Sequence, residues 1–389
     1  MKIAIGLSGG VDSAVAALLL MKAGHEVTGV TMKLWQEGRY KGGCHDACFG
    51  PGEAEDIAAA TELAKKIGIE YRVFDCSSEY ERIVVDYFRQ EKSAGRTPNP
   101  CVVCNPRMKF GLLPEIAARH FAFDRFATGH YARIVEVGGR LAVARAIDTS
   151  KDQSYFLWGL SQEQLARAMF PLGDLTKPEV RRLAAEAGLP MAEKPDSQDF
   201  YSGDCTELMG ETDRDGEIVT TGGKVLGTHH GYWRYTVGQR KGLGVGGGTP
   251  FYVVKVDGRA NRVVVGTREE AVRTEFRMLP TNWMAAEPTD GKIEGFVKIR
   301  STGNPVGPAT LENGVVRVPD GIFGVAPGQS AVMYSPSGAI LCGGVIQGQD
   351  ARVRGTVPAK VLAHQCETSH SRAVTTFMEY PPSDIVSCS

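Results

Sequence analysis

The chain has 389 residues, 42% of them hydrophobic and 23% charged, with a formal net charge of −1. That length exceeds one ordinary core, so two or three domains are expected, and the composition is that of a plain globular protein. No apolar run approaches the roughly 20 residues of a membrane span, and "MKIAIGLSGG" lacks the features of a signal peptide. The expectation is a cytoplasmic monomer in which nine cysteines are catalytic, metal-binding or buried rather than disulfide-paired. With so little net charge, an RNA-binding reading needs local basic patches.

The first half alternates strand and helix patterns. "KIAIGLS" reads as a strand, residues 11–23 as a helix stopped by Gly24, and "EVTGVTMKLW" as a second strand. "AEDIAAATELAKKIG" is a helix with a glycine stop and "IEYRVFD" a third strand, followed by helices over 78–93 and near 112–120 and by the strand "RFATGH". Strands separated by 10–15-residue helical patterns predict crossover units on a parallel sheet. Residues 150–194 read as helical, with Pro178 placed for a first turn. Beyond Ser202 come short alternating runs ("FYVVKV", "RVVVGT", "EGFVKIR", "GVVRVP", "SAVMYS") between glycine, proline and asparagine turns, the pattern of small β-barrels or sandwiches. The expected fold class is thus an α/β N-terminal domain with a parallel sheet, followed by two small mainly-β domains. The expected divisions are 1–203, 204–277 and 278–348, with a break near Met278–Pro280 and a poorly ordered tail over 349–389.

"IGLSGGVDS" follows the first strand and opens the first helix. Glycines there admit an anion close to the backbone, and the helix N-terminus supplies unpaired N–H groups. No Lys-Ser/Thr follows, so a Walker loop is excluded, and the spacing is not that of a dinucleotide fold. The remaining S-G-G-x-D-S, with Ser8 and Ser13 as hydroxyl donors and Asp12 able to hold Mg²⁺, resembles the signature loop of the PP-loop ATP pyrophosphatases. That resemblance implies ATP binding and adenylation of a carbonyl-type oxygen, which then leaves as AMP.

The second informative segment is "PNPCVVCNPRMKF". A thiolate or persulfide is a strong nucleophile when positive groups lower its pKa, and residues 96–110 hold three basic residues and no acidic one. Cys104 is expected in a stiff, proline-rich loop just before a helix. The motifs "GRTPNPCVVCNPRMKF", "ATGHYAR", "KDQSYFL", "DSQDF", "YTVGQRKGLGVGG" and "PGQSAV" occur in order, and with the loop they resemble the bacterial tRNA-specific 2-thiouridylase family over residues 1–348.

The resemblance implies ATP-dependent replacement of the C2 oxygen of a tRNA wobble uridine by sulfur. The sulfur would come from a cysteine persulfide charged by a relay protein fed by a cysteine desulfurase. It assigns Gly6, Leu7, Ser8, Gly9, Gly10, Val11, Asp12, Ser13, Met32 and Gly129 to ATP, and Cys104 to the nucleophile. Asn99, Pro100 and Cys101 fall in the segment that meets the target base, and His130, Lys151, Asp152, Gln153, Arg300, Ser301 and Gln329 match tRNA contacts. One departure stands out. The family's second cysteine, in D-S-x-x-x-C, is here Tyr201 in "DSQDFYSGDC". Cys101, able to form a disulfide with Cys104 after sulfur release, is favoured as its replacement over Cys205.

Two other readings remain open. Cys44, Cys48, Cys101 and Cys104 have spacings that permit zinc or an iron–sulfur cluster, giving a cluster-dependent thiolase. A non-catalytic tRNA-binding protein would leave the loop inert. Residues 224–255 contain no acidic residue. Their aromatics Tyr232 and Trp233 read better as core, whereas "GQRKGLGVGGG" reads as a basic loop suited to an RNA backbone.

Overall fold

The computed structural model describes residues 1–43, 47–189, 199–201, 203–246, 250–288 and 291–348. Cys44 and the tail expected over 349–389 lie outside the described residues. The chain starts with β1 (Lys2–Gly6), α1 (Val11–Lys22) and β2 (Glu26–Lys33), then β3 (Ala47–Phe49), α2 (Glu53–Ile67) and β4 (Glu70–Asp75). Gly68 ends α2 in the left-handed conformation (φ 74°), where a glycine costs least. Residues 77–93 run as α3 (Ser77–Tyr80), a π-helical segment Glu81–Val85 and α4 (Asp86–Ser93).

The cysteine segment is helical, not a loop. α5 (Pro100–Cys104) leads through a π-helical segment Asn105–Leu112 into α6 (Leu113–Ala118). Pro100 occupies a first-turn position, where its missing N–H is no loss, and Asn99 before it is extended. The carbonyls of Pro106 and Phe110 accept from the Gln164 side-chain amide at 2.7 and 3.1 Å, which steadies the π-helical turn.

β5 (Arg125–Thr128) is followed by a hairpin of β6 (Ala132–Val137) and β7 (Arg140–Arg145). Its turn, Gly138-Gly139, has φ of 59° and 78°, the conformation of a two-residue hairpin loop. Then come α7 (Gln162–Arg167), β8 (Ala168–Met169), α8 (Lys177–Glu186), β9 (Asp199–Tyr201) and α9 (Cys205–Met209). The main sheet has the order β4-β2-β1-β5-β8, with its pairings all parallel. α1 buries Val11, Ala14, Val15, Ala16 and Ala17 in a core shared with α2 and α8. The loops after β1, β2 and β5 leave the carboxyl ends of three adjacent central strands, where open α/β folds place ligands.

The second half is β. β10 (Gly216–Thr220), β11 (Val225–His229), β12 (Tyr252–Asp257) and β13 (Arg262–Gly266) form a sheet of order β11-β10-β13-β12. β14 (Val272–Trp283), β15 (Ile293–Lys298), β16 (Val306–Glu312), β17 (Val315–Phe323), β18 (Ser330–Tyr334) and β19 (Ile340–Ile346) close a barrel. The break expected at Met278–Pro280 falls inside β14. That strand pairs with β17 through Val272–Arg277 and with β19 through Met278–Trp283, and the ladder shifts register between Pro280 and Asn282. A proline is tolerated at such an irregularity, so it marks a change of partner and not an end of the strand.

Candidate active site

The loop after β1 is shaped by its glycines. Gly9 has φ 70°, and a Cβ there would meet the Asp56 carbonyl oxygen at 2.6 Å. Gly10, extended, precedes α1 without a side-chain cap, so the first N–H groups of the helix keep no side-chain acceptor. Ser13 Oγ donates to Gly10 O at 3.1 Å and accepts from Ser8 N at 3.2 Å, folding the loop back on the helix start. Gly129, after β5, closes the other side: a Cβ there would lie 2.7 Å from Ser13 N and 2.8 Å from Asp12 C. Met32 is buried near the end of β2, and the Glu53 carboxylate fixes the chain beyond it by accepting from Leu34 N and Trp35 N at 2.7 and 2.8 Å.

Asp12 is not poised for Mg²⁺. Lys177 Nζ donates to both its carboxylate oxygens at 2.8 Å, and the Tyr131 hydroxyl donates to Oδ1 at 2.8 Å. A carboxylate bridged in this way does not fit the metal role expected of it. Sequence reading missed Lys177 and Tyr131, although one signal existed. Lys177 opens α8, and a cation at a helix N-terminus opposes the macrodipole.

Cys104 is buried at 7% exposure, and Cys101, one turn earlier in α5, is half-buried. Burial pushes the Cys104 thiol up to about 12, against the Lys109 ammonium that draws it down, while a charge on Cys48 adds to the rise. The basic segment therefore does not produce a thiolate at rest, because desolvation outweighs one lysine. Lys109 also acts on Cys48 and on His130. Burial, then Lys109, lowers His130 to about 3; its ring lies 6.0 Å from Phe110 and 6.1 Å from Phe170, and its Nδ1 is 2.7 Å from Thr128 Oγ1. Tyr80 feels Cys48, Cys104 and Cys101 together. Lys109 thus links the thiols to the residue beside Gly129, at the nucleotide loop.

Cys205 stands apart from this group. It opens α9, packed on α4, where burial raises its thiol and Lys92 opposes the rise. Lys92 itself donates to Trp233 O at 2.7 Å. Tyr201 is buried and donates its hydroxyl to Glu207. Among the described residues no three His, Cys, Asp or Glu side chains converge as a metal site, so the described cysteines do not fit a preformed cluster.

Several candidate tRNA contacts serve the interior. Asp152 is buried with Arg145 Nε at 3.1 Å and Lys298 Nζ at 3.6 Å. Gln153 accepts from Tyr131 N at 2.9 Å. Gln329 reaches from the barrel to donate to Thr97 O and Pro98 O at 3.2 and 3.1 Å, steadying the approach to α5. Arg300 donates to Phe323 O at 2.9 Å, and Lys151 and Ser301 are half-buried. Asn99 is buried at the start of α5, whereas Arg240 and Lys241 are exposed. Tyr232 and Trp233 are core residues, as expected of buried aromatics.

The chain matches three families in succession: the tRNA methyl transferase HUP domain over residues 1–201, the tRNA methyl transferase PRC-barrel domain over 208–267, and the aminomethyltransferase beta-barrel domain over 273–346. It is 44% identical over 357 residues to the tRNA-specific 2-thiouridylase MnmA of Endomicrobium trichonymphae, covering 89% of this chain and 99% of that protein. The protein of the same name from Nostoc punctiforme is 42% identical, with 89% and 99% covered, and that from Geobacter metallireducens is 43% identical, with 86% and 93% covered.

Proposed function

The chain belongs to the tRNA-specific 2-thiouridylase family, and from that premise we propose that it catalyses ATP-dependent 2-thiolation of the wobble uridine of tRNA. The observation that carries this reading is the link between nucleotide loop and thiols. Gly129 packs on the first turn of α1, and its neighbour His130 shares the field of Lys109 with Cys104. Phosphates at the N-terminus of α1 would accept from its free N–H groups and from Ser8 and Ser13. Adenylation turns the C2 oxygen of the uridine into a leaving group, and sulfur borne by Cys104 attacks that carbon as AMP departs.

The Lys109 ammonium favours the anionic sulfur once the site rearranges around tRNA. Cys101, three residues before Cys104 on one helical face, then attacks Cys104 Sγ. The sulfur stays on the uridine and a Cys101–Cys104 disulfide forms, which an external dithiol reduces. Gln329 and Asp152 act by positioning the α5 approach and the 145–154 segment. The basic loop at Arg240 and Lys241 contacts the RNA backbone. Persulfide sulfur reaches the enzyme from a relay protein.

The deciding experiment incubates the reduced protein with tRNA, ATP and a persulfide donor and weighs the nucleosides. An oxygen-to-sulfur mass gain on uridine, absent without ATP, is expected. AMP without that gain, or no AMP at all, overturns the reading.

A further inference from the structure

Attack by a Cys104 sulfur on a base activated at the nucleotide loop needs α5 held in fixed register with that loop. Asn105, the residue after Cys104, is 3% exposed. Its side-chain Nδ2 donates to Cys101 O at 2.9 Å and to Phe156 O at 3.3 Å. Both partners are carbonyls, so the amide nitrogen must face them. That leaves Oδ1 buried, with no hydrogen-bond donor among the described residues. Burying an unpaired acceptor is costly, so Asn105 is not an ordinary satisfied core residue.

Phe156 lies in the 3-10 turn Ser154–Leu157, of which Ser154, Tyr155 and Leu157 are wholly buried. The turn is bonded at its upstream end to the nucleotide loop. Gln153 N donates to Tyr131 O and Gln153 Oε1 accepts from Tyr131 N, both at 2.9 Å, and the Tyr131 hydroxyl donates to Asp12 Oδ1 at 2.8 Å. Phe156 N donates back to Gln153 O at 3.0 Å. The barrel pins the same turn: the Tyr155 hydroxyl donates to Ser330 O at 3.0 Å, and Ser154 Oγ is 3.0 Å from the Tyr334 hydroxyl. Gly159 packs closely on the segment after α5, since a Cβ there would meet Pro106 Cγ at 3.1 Å. Residues 153–157 thus form a braced strut between α1 and α5, and Asn105 bonds α5 to it.

We propose that Asn105 is a positioning residue for sulfur transfer: it ties the thiol-bearing turn of α5 to the 153–157 strut and so sets where the Cys104 sulfur stands relative to the adenylated uridine. The proposal rests on the thiolation reading above. Asn105 touches no reacting atom. Adenylation does not depend on it, because Tyr131 and Gln153 brace the nucleotide side without it. Attack does depend on it, because a reacting atom displaced by about an ångström loses much of its rate. Loosening Asn105 therefore separates two half-reactions that the intact enzyme keeps in step. When sulfur arrives late, water cleaves the adenylated uridine instead. Uridine and AMP are returned, one water is consumed, and ATP is spent with no sulfur gained.

The test counts AMP and 2-thiouridine in the same reaction, with full-length reduced protein, ATP, tRNA and glutathione persulfide. Wild type is expected to form the two in equal amounts. Asn105→Ala removes both donors and the unpaired acceptor together, and alanine suits a helix. It is expected to fold, to bind ATP and tRNA within a few-fold of wild type, and to raise AMP per 2-thiouridine about tenfold or more. A residue that only stabilised the fold would lower both products together. Parallel loss of AMP and 2-thiouridine, or wild-type amounts of both, therefore overturns the proposal without touching the thiolation reading. Should Asn105→Ala fail to fold, Asn105→Asp, which keeps the shape with fewer donors, is scored in the same way. If neither variant folds, Asn105 serves stability and the proposal falls. Failure of the wild type to form 2-thiouridine would instead remove the reading on which the proposal rests.

Discussion

Lys177 Nζ lies 2.8 Å from both carboxylate oxygens of Asp12, joining positions 165 residues apart at the mouth of the nucleotide loop. The pair is lopsided: the Lys177 side chain is 5% exposed and that of Asp12 26%. Removing Asp12 takes a bridging carboxylate from a buried ammonium, which costs about 3 kcal/mol, whereas removing Lys177 leaves a carboxylate that water can reach. Urea denaturation is expected to rank Asp12→Ala as more destabilised than Lys177→Met, with the double variant recovering part of the loss. The reverse ranking would mean that Asp12 holds something other than Lys177.

Gly129 and Gly10 make a paired test of the loop. A Cβ at Gly129 would sit 2.7 Å from Ser13 N, so the helix start must move, whereas at Gly10 its nearest neighbour is Ser8 Oγ at 3.4 Å. Gly129→Ala is expected to lower ATP affinity at least tenfold by calorimetry, with tRNA affinity within a few-fold. Gly10→Ala retains the unliganded fold, shown by an unchanged melting temperature. A Gly129→Ala protein with wild-type ATP affinity would detach this residue from the nucleotide site.

What the sequence made legible follows from the range of each signal. The period-2 and period-3.6 patterns and the glycine stops are local, so β1, α1, β2, α2 and β4 could be read directly. The S-G-G-x-D-S loop was legible because its chemistry is contiguous. The hairpin of β6 and β7 was overlooked although Gly138-Gly139 announces it. The helix at Pro100–Cys104 was hidden by its prolines, which suggest a loop unless the first-turn preference is weighed. The partnership of Asp12 with Lys177 and that of Cys48 with β9 are long-range. No spacing rule reaches them. Burial is equally invisible in sequence, and it reverses the sign expected for Cys104.

His130 ties stability to pH. Its folded value, near 3, lies below the ordinary 6.5, so the unfolded chain binds the proton more readily. The contribution of the neutral ring is complete above pH 6.5 and is lost as pH falls toward 3, by at most about 2 kcal/mol at pH 5. Thermal melting from pH 7.5 to 5 is expected to fall more steeply in wild type than in His130→Asn. Parallel curves would show that another group carries the acid sensitivity.

The basic loop separates exposed cations from engaged ones. Arg234 is bound to Asp204 and Asp213 at 2.8 Å each, while Arg240 and Lys241 are exposed. Neutralising Arg240 and Lys241 together is expected to weaken tRNA binding and flatten its salt dependence by about one to two phosphate contacts. Arg234→Gln is expected to leave the slope unchanged. An unaltered slope in the double variant would move the RNA path elsewhere.

The three cysteines read from sequence as catalytic candidates divide by place. Cys104→Ser removes the attacking sulfur, so 2-thiouridine is expected to vanish while ATP still binds. Cys101→Ser keeps the attacking sulfur but removes the thiol that would release it. One tRNA should then stay covalently bound to each enzyme through Cys104, visible as a tRNA–protein band that a dithiol dissolves, and turnover should fall at least a hundredfold. Cys205 sits at α9 beside Lys92 and Trp233, away from Lys109, so Cys205→Ser is expected to thiolate within a few-fold of wild type. Because its thiol fills a half-buried position, a modest loss of stability is compatible with this outcome. A loss of thiolation with ATP binding intact is not. If Cys205→Ser is inactive in that way while Cys101→Ser turns over normally, α9 must swing its cysteine to Cys104 during the reaction. The role assigned here to Cys101 would then pass to Cys205.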